Sequence, residues 1–185
     1  MNAVCVYCGS SFGGNGVYLE ATRELARTFA ERGIRVVYGG ASVGLMGALA
    51  DATLEAGGEV VGVIPQQLVD REIAHQGLTE LHVVQTMHQR KALMAELSDG
   101  FVALPGGIGT LEELIEIWTW SQLRLHAKPL GVLNIDGYYD RLGAFLDHAV
   151  AEGFQPPSER QKLVFATSAE DLLERWRSAH GPQGR

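Results

Sequence analysis

Short apolar runs alternate with longer amphipathic segments along the whole chain, and the two differ in period. Val- and Ile-rich runs at 3–8, 34–38, 60–65, 81–85, 101–104, 130–135 and 162–165 predict strands buried on both faces. Between them, apolar positions recur every three to four residues at 16–32, 44–56, 67–74, 88–98, 110–125, 138–152 and 169–178, which predicts helices. Regular strand–helix alternation specifies an α/β fold, a doubly wound Rossmann-like parallel sheet with helices on both faces. No internal repeat interrupts it, so residues 1–180 are expected to form a single nucleotide-binding domain and 181–185 (GPQGR) a loose tail.

Composition narrows the function classes. A hydrophobic fraction of 46% and a charged fraction of 20% in 185 residues suit an ordinary soluble domain. There is no apolar run of about 18 residues, and the start MNAVCVYCG enters a strand directly, so a cytoplasmic protein with no membrane partner is expected. A net charge of −7 without a Lys/Arg block argues against nucleic acid. Cys5 and Cys8 form a nominal C-x-x-C, but within a strand, residues three apart point to opposite faces, so core thiols are expected rather than a redox or zinc pair.

Glycines gather after three strands: Gly9 with Ser10 and Ser11, Gly39 with Gly40, and Gly106 with Gly107 and Gly109. In an open parallel sheet, ligands bind beyond the carboxyl ends of strands. The segment 101–116, FVALPGGIGTLEELIE, reads as buried strand, glycine turn and helix start, a natural cradle for a phosphate, with the Thr110 hydroxyl as cap or extra donor. A single such turn could equally use its glycines for geometry alone. A dinucleotide site fits poorly, because no G-x-G-x-x-G follows the first strand and the second ends in Tyr38 rather than an acid. A Walker loop is absent too, which leaves a pocket for one phosphate.

Two helices hold the candidate chemistry. In MHQRKALMAELS, Met94, Leu93 and Leu97 make an apolar stripe with Arg90 in its middle, so the guanidinium is aimed inward and wants an anionic partner. Lys91 flanks the stripe, where it could reach a phosphate or stay solvated. In the helix after the glycine turn, Leu111, Leu114, Ile115 and Trp118 are expected to face the sheet, while Glu113, Glu116, Ile117 and Trp120 share a second face that a ligand or subunit would cover. Glu112 suits the ordinary role of an acid near a helix start.

The combination PGGIGTLEE at 105–113, MHQRK at 87–91 and YGGASVGLMG at 38–47 closely resembles the LONELY GUY family of cytokinin riboside 5′-monophosphate phosphoribohydrolases, long labelled lysine decarboxylases. The resemblance runs from the first strand to about Gly153 and includes REI at 71–73 and GYYD at 137–140. It implies hydrolysis of the N-glycosidic bond of an N6-substituted AMP, without a cofactor or metal, by a protein that forms homodimers. It further implies Glu113 and Arg90 as the catalytic pair and Gly106, Gly107, Ile108, Gly109 and Thr110 as the phosphate loop. Glu72, Lys91, Leu111, Glu112 and Thr119 become substrate-binding residues, with Gly9, Ser10, Gly39, Gly40 and Met94 lining the pocket. Ala41, in place of a third glycine, and Arg124, in place of a small residue, depart from the common pattern. A non-catalytic phospho-ligand carrier, similar to molybdenum-cofactor carrier proteins, is the rival reading.

Overall fold

The computed structural model describes residues 1–71 and 73–180. The tail expected at 181–185 lies outside the described residues. Seven parallel strands form one sheet: β1 (Ala3–Tyr7), β2 (Arg35–Tyr38), β3 (Val60–Pro65), β4 (Glu80–Val84), β5 (Gly100–Ala103), β6 (Leu130–Leu133) and β7 (Leu163–Ala166). Their spatial order is β4-β3-β2-β1-β5-β6-β7. The chain therefore winds outward from β1, returns to lay β5 beside it, and winds outward again. The reversal between β1 and β5 is the place where an open α/β sheet leaves a crevice. Register sets the two central strands level, pairing Val4 with Gly100 and Tyr7 with Ala103.

Burial on both faces follows from the apolar strands. One layer packs α1 (Val17–Glu31), α2 (Gly44–Glu55) and α8 (Ala169–His180) over Val4, Val6, Val36 and Val102. The other packs α4 (Met87–Glu96), α5 (Ile108–Gln122) and α6 (Asp140–Ala151) over Cys5, Val37, Val63 and Phe101. Cys5 and Cys8 lie in opposite layers as free, buried thiols, and burial pushes both far above the ordinary thiol range. Neither can be a thiolate at neutral pH.

Several boundaries move for physical reasons. The helix expected at 67–74 shortens to α3 (Gln66–Val69), because the following backbone is claimed by the β2 turn: Ser42 N donates to Ile73 O at 2.9 Å and His75 N to Gly40 O at 2.9 Å. A short α7 (Pro157–Arg160) was not expected; Pro157 occupies a first-turn position where its fixed φ favours helix. The sheet-facing stripe of α5 is Leu114, Ile117, Trp118 and Ser121, so Ile117 is buried and Ile115 is 39% exposed, the reverse of the expected faces. α5 begins at Ile108 rather than Thr110, with Gly107 as its cap residue. The Thr110 hydroxyl does not cap it.

Leu114 is fully buried where α5 meets the sheet. Leu114→Ala should destabilise the fold by about 2–5 kcal/mol through lost burial and a cavity, measured as a lower urea midpoint with unchanged slope.

Candidate active site

Two glycine turns meet at the crevice between β1 and β5. Gly9 N–H donates to Pro105 O at 3.1 Å, so the turn after β1 rests directly on the turn after β5. The first intrahelical bond of α5 runs from Leu111 N to Gly107 O at 3.2 Å, and the N–H groups of Ile108, Gly109 and Thr110 precede it. Such groups have no intrahelical partner and lie at the positive end of the helix dipole, a ready site for an anion.

The opposite wall comes from α4. Thr86 and Gln89 form a capping box: Gln89 N donates to Thr86 Oγ1 at 3.1 Å, and Thr86 N donates to Gln89 Oε1 at 3.2 Å. This fixes the first turn and sets the next residue, Arg90, against the sheet. Arg90 is only 8% exposed. Its Nε donates to Val63 O at 3.1 Å, and its Nη1 lies 3.1 Å from Glu113 Oε1 on α5. Gly39 makes room for it, since a Cβ there would stand 1.9 Å from Arg90 Nη2. A second ion pair lies beside the first: Lys91 Nζ sits 2.7 Å from Glu112 Oε1 and 2.9 Å from Glu116 Oε2.

Burial raises the Glu113 pKa above the ordinary carboxylate value, with Arg90 opposing the rise and Glu112 and Glu116 adding to it. Burial also works against the Lys91 ammonium, but its two carboxylates outweigh that and hold its pKa above the usual lysine value.

A cleft of about 400 Å³ lies between these walls, within the size range of small-ligand sites. Of the residues singled out from sequence, Gly9, Ser10, Gly39, Arg90, Gly107, Ile108, Gly109, Thr110, Glu112 and Glu113 line it. Gly106 lines an adjoining hollow of about 250 Å³ on the other flank of the turns. Lys91, beside the wall, is engaged by its two carboxylates. Met94 is a core residue at 1% exposure, Gly40 packs towards Ile64 and Leu81, and Leu111 is half-buried outside the cleft lining. Thr119 is exposed two turns further along α5, its hydroxyl donating to Ile115 O at 2.7 Å. Glu72 lies outside the described residues. Ala41 is buried in a bridge to Ala74, and Arg124 lines a different cleft with His126 and Lys128.

Sequence reasoning missed Val6, Tyr7, Cys8, Met46 and Met87 in the lining. Met46 and Met87 lie within the two motif segments, so proximity to motif residues could have found them. The strand residues carry no signal that separates them from core. Three larger clefts exist elsewhere among the described residues, of about 690 Å³ near Asp51 and His75, about 650 Å³ near Met1 and Trp176 and about 580 Å³ near Arg124, but none contains an ion pair buried on both sides, since Asp51, beside His75, is largely exposed.

Comparison with known proteins agrees with this geometry. The family model described as "Possible lysine decarboxylase" matches residues 46–176. A probable cytokinin riboside 5′-monophosphate phosphoribohydrolase of Oryza sativa subsp. japonica, LOGL5, is 55% identical over 92% of this chain and 69% of its own length. The Arabidopsis thaliana cytokinin riboside 5′-monophosphate phosphoribohydrolase LOG2 is 50% identical over 92% of this chain and 80% of its own length. Among solved structures, the molybdenum cofactor binding protein of Rippkaea orientalis shares the fold with a TM-score of 0.71 at 21% identity, covering 96% of each chain. The molybdenum cofactor carrier protein of Chlamydomonas reinhardtii does so with a TM-score of 0.70 at 18% identity, covering 95% of this chain and 96% of its own. With half its residues shared along nine-tenths of its length, the chain belongs to the LONELY GUY family, the group that the description "possible lysine decarboxylase" also covers.

Proposed function

We propose that this protein hydrolyses the N-glycosidic bond of an N6-substituted adenosine 5′-monophosphate, releasing the free base and ribose 5-phosphate. The observation that carries the reading is the Arg90–Glu113 pair, held almost out of solvent beside a glycine turn that can bind a phosphate. Its relatives at half identity are named for this reaction on cytokinin riboside 5′-monophosphates.

The reaction breaks the bond from C1′ to the base nitrogen and forms one from C1′ to a water oxygen. Positive charge grows on the ribosyl ring while the base departs with the bonding electrons. Glu113, ionised, stabilises that charge and takes a proton from the attacking water, while the departing base takes up one proton from solvent, to which Glu113 later returns its own. Arg90 keeps the carboxylate ionised and oriented. The N–H groups at the start of α5 take the 5′-phosphate, so binding energy remote from the bond aligns it with Glu113. Lys91, Glu112 and Ser10 contribute to the cleft rather than to bond cleavage.

A second reading rests on the fold neighbours, which are named as molybdenum cofactor binding and carrier proteins. At about 20% identity they speak for the fold alone. Decarboxylation through a Schiff base is disfavoured at Lys91, because its two glutamates stabilise the protonated amine.

We read residues 1–180 as one domain, since a single sheet spans β1 to β7, and we place the protein in the cytoplasm, where two free thiols are ordinary. No described helix is long and apolar enough to cross a membrane. A homodimer would cover the apolar side chains left outward near α4 and α5: Met87, Ile108, Ile115, Leu123 and Leu125 are 39–84% exposed.

Incubation with AMP or N6-isopentenyl-AMP, followed by HPLC, should show release of base, and Glu113→Gln should slow it roughly 10²–10⁴-fold. Saturable AMP binding with no base released would establish the carrier reading instead. Because burial raises the Glu113 pKa, the ionised form is lost at higher pH than for an ordinary glutamate. The acid limb of kcat/KM should therefore lie above the range of an ordinary glutamate, and Arg90→Gln should move it higher still. Light scattering should give twice the chain mass, and Ile115→Glu should shift it to that of one chain.

A further inference from the structure

The GYYD segment at 137–140 stands apart from the proposed chemistry, yet it reaches the glycine turn. Three consecutive backbone carbonyls between β5 and α5 each accept a hydrogen bond, two from the segment before α6 and one from the turn after β1. Leu104 O accepts from Tyr139 Oη at 2.7 Å, Pro105 O from Gly9 N at 3.1 Å, and Gly106 O from Tyr138 Oη at 2.5 Å. A turn that binds an anion must keep its carbonyl oxygens away from the guest while its N–H groups face it, because each carbonyl presents negative partial charge. Fixing the orientation of three peptide planes in a row does this without contacting the guest.

The two tyrosines are set differently. Tyr139 is 2% exposed and belongs to the core. Tyr138 is 42% exposed, lines the small hollow beside Gly106, and stacks edge-on against Tyr18 at 5.6 Å between ring centres. Its placement has a backbone cost. Just before it, Asp136 holds φ at +51° and Gly137 at +70°, and Asp136 is one of two non-glycine residues among those described with positive φ. Asn134 pins the same bend, accepting from Tyr139 N and donating to Asp140 Oδ1, both at 2.7 Å. Strain that surrounding bonds hold in place, ending in a hydroxyl aimed at a ligand-binding turn, is a mark of a functional position.

We propose that Tyr138 is a positioning residue that holds the Gly106 carbonyl turned away, and so sets the phosphate affinity of the turn. The inference rests on the nucleotide-phosphate reading of the cleft. It requires no contact between Tyr138 and substrate. The hydroxyl acts on binding of the phosphate end and leaves the Arg90–Glu113 pair untouched.

The test is Tyr138→Phe, which keeps the ring and its stacking and removes only the hydroxyl. Tyr18→Phe serves as the control, since that ring packs on Tyr138 while the three turn carbonyls take their bonds from Tyr138, Tyr139 and Gly9. Isothermal titration with ribose 5-phosphate and with inorganic phosphate should show Tyr138→Phe weaker by roughly two- to tenfold, the loss expected for one neutral hydrogen bond. KM for AMP should rise by the same factor with kcat within about twofold, while Tyr18→Phe behaves as wild type. The amide resonances of Gly107 and Ile108 in Tyr138→Phe should then saturate at correspondingly higher phosphate concentration. Unchanged affinity for both ligands, or a fall in kcat at constant KM, would overturn the proposal. Wild-type protein that binds ribose 5-phosphate but releases no base would defeat the hydrolase reading while the affinity comparison still decides the role of Tyr138.

Discussion

The site depends on the ion pair between Arg90 and Glu113. Taking both charges out of water costs several kcal/mol per ion unless each gains close, well-aligned partners. Here the guanidinium meets a carboxylate oxygen at 3.1 Å and the Val63 carbonyl at 3.1 Å, so it is satisfied from two elements at once. That requirement reaches outward through the fold. It demands a glycine at position 39, a capped first turn of α4, and a rotation of α5 that brings Glu113 to the cleft rather than to solvent. Replacing the pair by apolar side chains would be the simpler way to stabilise a core. Its retention at a strand end beside a phosphate-sized turn is why it reads as chemistry.

The same region divides its labour by element. β1 and β5 end in turns that lean on each other through Gly9 and Pro105, and the start of α5 supplies N–H groups. α4 and α5 supply charge, with Lys91 offsetting part of the negative charge that Glu112 and Glu116 bring beside the cleft. The bend before α6 supplies tyrosine hydroxyls from outside the cleft.

Much of this was legible in the residues. Valine-rich runs and glycines at three strand ends specified the parallel sheet and the side on which a ligand would sit. An arginine in an apolar stripe identified Arg90, because a charge facing inward needs a partner. The errors have a common cause. On α5, Ile115 and Ile117 are both isoleucines two residues apart, and a helical wheel cannot tell which one the sheet will cover when both faces are apolar. The cleft lining does not include Met94, Leu111 or Thr119, whose side chains leave their helices in other directions.

What the sequence determined by itself was local: the period of each segment, the turn chemistry of its glycines, and the presence of an unsatisfied inward charge. These depend on residues within a few positions of one another. The tertiary structure alone decided which segments meet. Strand order puts β1 beside β5, so two glycine turns far apart in the chain become one crevice; the rotation of α5 puts Glu113, and not Glu116, against Arg90; and a strained bend puts Tyr138 on the Gly106 carbonyl. Such meetings are fixed by the packing of whole layers, where burying the most apolar surface selects one arrangement from many that local patterning allows.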